Sequence, residues 1–195
     1  GQSHIVGEGA PLRRLLAGGQ LPSLLFWGPP GVGKTTLVRL LARALDRPLR
    51  SLSAVQTGVK EVRAVLEEAR MSPGTLLFID EIHRFNKAQQ DALLHAVEAG
   101  TITFIGATTE NPSFEVIPAL RSRCQLYVLQ ELSQAELETI LHRALAQDEV
   151  LSQQRIELRE TAALYHLSGG DARKALNLLE LVTSTPRKTK PRATS

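Results

Sequence analysis

The stretch Gly28-Pro29-Pro30-Gly31-Val32-Gly33-Lys34-Thr35 has the residue types that phosphate binding demands. It follows an apolar run, Leu24 to Trp27, and opens into the amphipathic run behind Thr36. Backbone N–H groups must turn inward around an anion, which requires glycine where a side chain or a negative φ would interfere. A helix starting at Lys34 would aim its N-terminal amides at the same anion. Lys34 can then reach the β- and γ-phosphates and the Thr35 hydroxyl can ligate Mg²⁺. The pattern is a P-loop, and the segment from Gly28 to Thr36 is the candidate nucleotide-binding loop.

Phe78-Ile79-Asp80-Glu81 ends a second apolar run with two carboxylates, the pattern of a Walker B segment. At the end of a strand beside a phosphate site, Asp80 suits a magnesium ion, and Glu81 suits the orientation and deprotonation of a water. A third run, Thr101 to Ala107, is followed by Thr108 and Thr109. A hydroxyl there would stand beside the γ-phosphate and the attacking water, with Thr109 the first choice and Thr108 the second. The letters Asp80-Glu81-Ile82-His83 also spell the DExH box of superfamily 2 helicases, an alternative that needs two such domains in a chain with room for one. His83, Asn86 and Lys87 receive no catalytic task, and His83 is expected to pack or make a structural hydrogen bond.

These residues need a frame. Apolar runs alternate with amphipathic ones, which predicts strands joined by crossover helices and therefore a parallel sheet. The predicted strands are Leu24 to Trp27, Leu49 to Ser53, Thr75 to Asp80, Thr101 to Ala107 and Gln125 to Leu129. Their nearly continuous apolar character predicts helices on both faces. Leu37, Leu40, Leu41, Ala44 and Leu45 are read as one helical face, with further helices over Val59 to Arg70 and Lys87 to Ala99. Beyond Leu132 the pattern is helical. Ser133 with Glu136 forms a capping box ahead of Leu137, Ile140, Leu141, Ala144 and Leu145. A second helix is placed over Arg155 to Leu167, ended by Gly169 and Gly170, and Asp171 caps a third that buries Ala172, Ala175, Leu176 and Leu179.

Composition removes other classes. The 195 residues carry one cysteine, Cys124, and no histidine pair at metal-binding spacing, so disulfide scaffolds and zinc clusters lack ligands and a reducing, intracellular setting is expected. The longest apolar runs are far short of the roughly 20 residues that cross a bilayer. The net charge of +3 resides in the tail from Thr183 to Ser195, where four basic residues face no acid; the body has 19 basic and 20 acidic residues. That tail is expected to be a disordered linker, since it has almost nothing to bury. The first residues, Gly1-Gln2-Ser3-His4, lack an initiating Met and a leader pattern, and a fragment of a longer protein is expected.

With these motifs in order, the sequence resembles the AAA+ ATPases of the clamp-loader clade. Arg121-Ser122-Arg123-Cys124 resembles their Ser-Arg-Cys element, and Gly170-Asp171-Ala172-Arg173 their sensor 2 motif. Within the clade, WGPPGVGKTT (Trp27 to Thr36), LSAVQTGVK (Leu52 to Lys60), LFIDEIHRFNKAQQDALL (Leu77 to Leu94) and GTITFIGATTENPSFE (Gly100 to Glu115) resemble the replication-associated recombination protein A family, the bacterial relatives of the Werner helicase-interacting protein.

The resemblance implies a three-layer α/β P-loop domain with a five-stranded parallel sheet over 1–130, a small helical lid domain over 131–182 and the basic tail over 183–195. It implies ATP and Mg²⁺ as ligand and cofactor, hydrolysis at stalled replication forks, and sensor 1 at Thr109 or Thr108. Arg123 is implied to act on a neighbour's nucleotide and Arg173 to read the nucleotide from the lid. The implied partners are further copies of the chain in a ring, forked or single-stranded DNA ends, and single-strand DNA-binding protein, in a cytoplasmic, nucleoid-associated setting. Family members also carry a segment ahead of Gly1-Gln2 that helps form the adenine pocket and a tetramerisation domain after the lid. The alternatives are a nucleotide-binding interaction module without productive turnover and, more weakly, a small-molecule kinase.

Overall fold

A computed structural model of the chain describes residues 1–153, 156–159 and 161–184. Among these residues the chain divides into two compact units, one over Gln2–Gln130 and the other from Glu131 onward together with Gly1.

The first unit opens with two short helices, α1 (Ser3–Val6) and α2 (Pro11–Ala17), followed by β1 (Ser23–Trp27) and α3 (Lys34–Ala44). Next come β2 (Leu49–Ser53), α4 (Val59–Arg70), β3 (Leu76–Asp80), a 3₁₀ turn over Ile82–Arg84 and α5 (Lys87–Glu98). The unit ends with β4 (Thr103–Thr108), the short α6 (Pro112–Glu115) and α7 (Pro118–Arg121), and β5 (Cys124–Val128). All five strands are parallel, in the order β2-β3-β4-β1-β5.

Side chains alternate between two apolar cores because successive residues of a strand point to opposite faces. Leu24, Phe26, Leu76, Phe78, Ile105 and Ala107 join Leu12, Leu37, Val38 and Leu41 on one side. Leu25, Leu77, Ile79 and Phe104 join Val62, Leu66, Ile82, Phe85 and Leu93 on the other. Phe26 and Phe104 are fully buried, a transfer contribution of about 1.5–3 kcal/mol each. The central strands are the buried ones. β2 and β5 lie at the sheet edges and are only partly covered, so the prediction of cover on both faces fails for them.

The buried face of α3 also differs from the prediction. It consists of Lys34, Leu37, Val38, Leu41 and Ala42, while Leu40 is 55% exposed and Ala44 faces solvent. A 3.6-residue period carries Leu37 and Leu41 inward together with their neighbours Val38 and Ala42, which leaves Leu40 on the flank.

The second unit contains α8 (Gln134–Gln147), a 3₁₀ turn (Leu151–Gln153), α9 (Thr161–Ser168) and α10 (Ala172–Ser184). It has its own core of Leu132, Leu137, Leu141, Ala175 and Leu179, with Ile140, Ala144, Leu145, Leu164, Ala172 and Leu176 packed against them. The Ser133–Glu136 capping box forms at the start of α8, and the Asp171 side chain accepts from the Arg173 and Lys174 amides at the start of α10.

The predicted helix over Arg155 to Leu167 is shorter as observed. Residues 156–159 are not helical; Ile156 and Leu158 are partly covered and Glu157 and Arg159 exposed, a two-residue alternation that outweighs the helical reading. Arg155 lies outside the described residues, as does the basic tail from residue 185 onward. Thr183 and Ser184, assigned to that tail, instead complete α10. None of the helices described is long and apolar enough to cross a membrane.

Candidate functional site

The strand order fixes where the motifs meet. β4 lies between β3 and β1, so the loops leaving β1, β3 and β4 emerge side by side at the carboxyl edge of the sheet. That edge is where open parallel sheets bind ligands, at the point where the chain reverses direction across the sheet. The sequence has to skip from β1 over two strands to β2, then return through β3 and β4.

Local chemistry shapes the P-loop. Gly31 and Gly33 have φ of 71° and 99°, conformations costly for any residue with a Cβ. Gly33 is the N-cap of α3, no side chain caps that helix, and its first turn holds no acid. The leading amides of α3 therefore retain the character of an anion site. Lys34 is buried, and its Nζ donates to the Gly28 and Pro29 carbonyls at 2.7 Å each, which folds the loop around the ammonium. Thr35 is half-buried and Thr36 exposed.

Gly28 is required for a different reason. A Cβ there would stand 2.4 Å from the Leu129 carbonyl oxygen, and the Gly28 amide donates to the Thr108 carbonyl at 3.2 Å. Gly28→Ala is expected to destabilise the domain by about 1–3 kcal/mol through overpacking against backbone. A lower denaturant midpoint at unchanged slope checks this; an unchanged midpoint refutes it.

The acids occupy the end of β3. Asp80 accepts from the Glu81 amide through Oδ1 at 3.1 Å. Glu81 has φ 57° and ψ 45°, a left-handed conformation that is uncommon for a non-glycine residue and turns the chain sharply after the strand. Its carboxylate Oε2 lies 3.2 Å from His83 Nε2, and His83 Nδ1 lies 3.0 Å from Thr108 Oγ1. Thr108 is completely buried, and its hydroxyl also accepts from the Glu110 amide at 3.0 Å. Thr109 is half-buried.

Sequence reasoning treated His83 as structural and missed that it joins Glu81 to the end of β4. The contact follows from the left-handed backbone of Glu81, which turns the chain sharply ahead of the 3₁₀ turn and which residue spacing does not announce. Asn86 and Gln89 form a capping box at the start of α5.

Arg123 lies elsewhere, between α7 and β5. It is 42% exposed at its side chain, pairs with Glu98 at the end of α5 and donates to the Ala119 carbonyl at 2.9 Å. The adjacent Cys124 thiol donates to the Leu120 carbonyl, and burial pushes its pKa up to about 12, so it is no nucleophile at neutral pH. Arg173 is exposed and belongs to the helical unit.

The donor set suits magnesium more than a transition metal: a hydroxyl from Thr35 and a carboxylate from Asp80 are hard oxygen ligands, and magnesium typically takes one or two protein oxygens plus substrate phosphates. No cluster of three or more His, Cys, Asp or Glu residues able to hold a metal by itself occurs among the described residues.

Residues 24–132 match the family described as the ATPase family associated with various cellular activities (AAA). The chain belongs to this AAA family. The match begins within β1 and ends just past β5, so it covers the P-loop, the acid pair and Arg123 of this AAA domain and leaves out most of the helical unit.

The chain is similar to replication-associated recombination protein A of Haemophilus influenzae, at 48% identity over 189 residues, covering 93% of this chain and 42% of that protein. The same protein of Escherichia coli K12 is 48% identical over 194 residues, again with 93% and 42% covered. ATPase WRNIP1 of Dictyostelium discoideum is 44% identical over 186 residues, covering 92% of this chain and 21% of that protein. Among solved structures, the Thermotoga maritima RuvB Holliday junction branch migration motor superimposes with a TM-score of 0.77 at 32% identity, covering 94% of this chain and 62% of that one. The chain therefore spans less than half the length of the curated relatives it matches.

Proposed function

We propose that the chain is the ATP-binding and ATP-hydrolysing module of a DNA-remodelling ATPase associated with replication and recombination, acting at stalled forks. The observation that carries this reading is the convergence of a glycine-shaped P-loop, an Asp-Glu pair and a threonine-bearing strand end at one sheet edge. The similarity to replication-associated recombination protein A supports the biological setting.

In the proposed reaction the amides of Gly31 to Gly33 and the first turn of α3 cradle the phosphates, and Lys34 exchanges its loop carbonyls for phosphate oxygens. Thr35 and Asp80 would hold the magnesium ion, which supplies charge neutralisation on the β- and γ-phosphates. Glu81 accepts a proton as a water attacks the γ-phosphorus and the bond to the β–γ bridging oxygen breaks, giving ADP and phosphate. Thr109, half-exposed at the end of β4, is the better placed of the two threonines to meet the γ-phosphate, because the Thr108 hydroxyl is sealed and already bonded. Arg123 serves a neighbouring copy in a ring, and Arg173 is assigned the sensor 2 task on its motif, in a helical unit read as the lid. Forked or single-stranded DNA and single-strand DNA-binding protein are the proposed partners, in a cytoplasmic, nucleoid-associated setting.

Steady-state ATP turnover with and without forked DNA tests the reading. Stimulation by forked DNA supports it, and ATP binding without turnover in the assembled protein would favour a nucleotide-gated interaction module. Lys34→Ala should weaken ATP binding by about 10- to 100-fold or more, since a charge-assisted contact is lost and two loop carbonyls lose their donor. Equal affinity of variant and parent by calorimetry would refute the P-loop assignment.

A further inference from the structure

The contacts of His83 define a task that no sequence motif assigns to it. The ring is nearly enclosed, 11% exposed at its side chain, and touches polar groups at both nitrogens: the Glu81 carboxylate at Nε2 and the Thr108 hydroxyl at Nδ1. A carboxylate can only accept, so Nε2 carries the hydrogen that faces Glu81, while the Thr108 hydroxyl, with one hydrogen to give, stands between His83 Nδ1 at 3.0 Å and the Glu110 carbonyl at 3.2 Å. Thr108 is held in turn by the Glu110 amide and by the rigid end of β4. Among the described residues His83 is the side chain that ties the Glu81 carboxylate, and the Glu81 backbone sits in the left-handed conformation. Without the ring, a flexible carboxylate on a tightly turned backbone would sample several rotamers.

We propose that His83 is a positioning residue for Glu81: it fixes one carboxylate oxygen against strand β4 and leaves the other to accept the proton of the attacking water. This rests on the reading of Glu81 as the general base. The imidazole acts as a strut between two strand ends, so the geometry of the base is set by β4 and not by the loop that bears it. Holding a reacting group in one geometry lowers the barrier, and a displacement of about 1 Å can cost about 100-fold.

The test is a set of variants of the assembled ATPase. His83→Phe keeps the ring volume and removes both nitrogens; it should lower kcat by about 10- to 100-fold with ATP KM and Kd within about twofold of the parent. His83→Gln places its amide nitrogen near the position of Nε2 and should retain more turnover than His83→Asn, whose amide falls near Nδ1. Thr108→Val should lower kcat, and combining it with His83→Phe should cost little beyond His83→Phe alone, because both act through one chain of contacts. In a Glu81→Gln background, His83→Phe should cost nothing further.

A second measurement does not depend on turnover. Nitrogen NMR of the His83 ring should find the hydrogen on Nε2, with Glu81→Gln shifting the Nε2 signal and Thr108→Val shifting that of Nδ1. Parental kcat in His83→Phe while Glu81→Gln is inactive would overturn the proposal and leave the base intact; full activity in Glu81→Gln would instead overturn the base assignment. A ring whose signals ignore both neighbours, or equal rescue by Gln and Asn, also overturns it.

Discussion

Arg123→Ala should bind ATP as the parent does and lose turnover by about 10³, the lower range for an arginine supplied across an interface. The guanidinium is always charged and fork-shaped, which suits a developing charge on the γ-phosphoryl group and is not reproduced by a lysine. In the isolated chain the group is half-exposed and tied to Glu98 and to the Ala119 carbonyl, away from the chain's own P-loop motifs. A role in trans makes the defect transferable. Subunits carrying Arg123→Ala retain an intact P-loop, and subunits carrying Lys34→Ala retain an intact arginine, so a mixture should recover part of the activity. The measurement is turnover of co-assembled variants, with assembly verified by light scattering or native mass spectrometry. A mixture as inactive as either parent would remove Arg123 from catalysis and leave it as the ion-pair partner that pins the end of α5.

Glu81→Gln should leave ATP affinity unchanged and reduce turnover by about 10²–10⁴, the range for a lost general base. The substitution is nearly isosteric. Its amide oxygen can still accept from His83 Nε2, so the carboxamide stays in place and the loss isolates proton acceptance from positioning. Calorimetry with ATP and single-turnover hydrolysis measure the two quantities separately. Unchanged turnover would take Glu81 out of the mechanism; a parallel loss of affinity would mean that the carboxylate also helps hold the nucleotide complex.

Much of the sheet was legible because strands and loops announce themselves in different alphabets. Leu49 to Ser53 was predicted with the bounds observed for β2, and the other four strands lie within two residues of their predicted starts and within one of their predicted ends. The one boundary that moved by two residues, at β4, did so because Gly100, at φ 69°, and Thr101 still belong to the turn closing α5. Strand order was not legible, since it depends on which backbone edges pair between strands far apart in sequence.

The same distinction separates the parts of the site. The P-loop could be read because its glycines answer a local demand on φ, and Asp80 and Glu81 because they end an apolar run. The His83–Thr108 contact joins residues 25 apart in sequence, and the Glu98–Arg123 pair links α5 to the turn before β5. Nothing in local spacing marks such pairs. Leu40 was misassigned for a related reason: hydrophobicity alone did not reveal which of several leucines faces the core.

The position of β1 in the sheet has a consequence for the growing chain. Its hydrogen-bonded neighbours are β4 and β5, and the Phe104 amide that donates to Ser23 Oγ is 81 residues downstream. During synthesis the P-loop emerges before β4 and β5, so the strand that carries it has no partner until the later part of the unit has been made. The β2–α4–β3 crossover can close first, because its ends are near in sequence and loop closure costs more as the chain lengthens. Within this unit nucleotide affinity therefore waits for β4 and β5, and ATP stabilises only chains that have already completed the sheet. A ribosome stalled before β4 would present the phosphate-binding sequence without the phosphate-binding site.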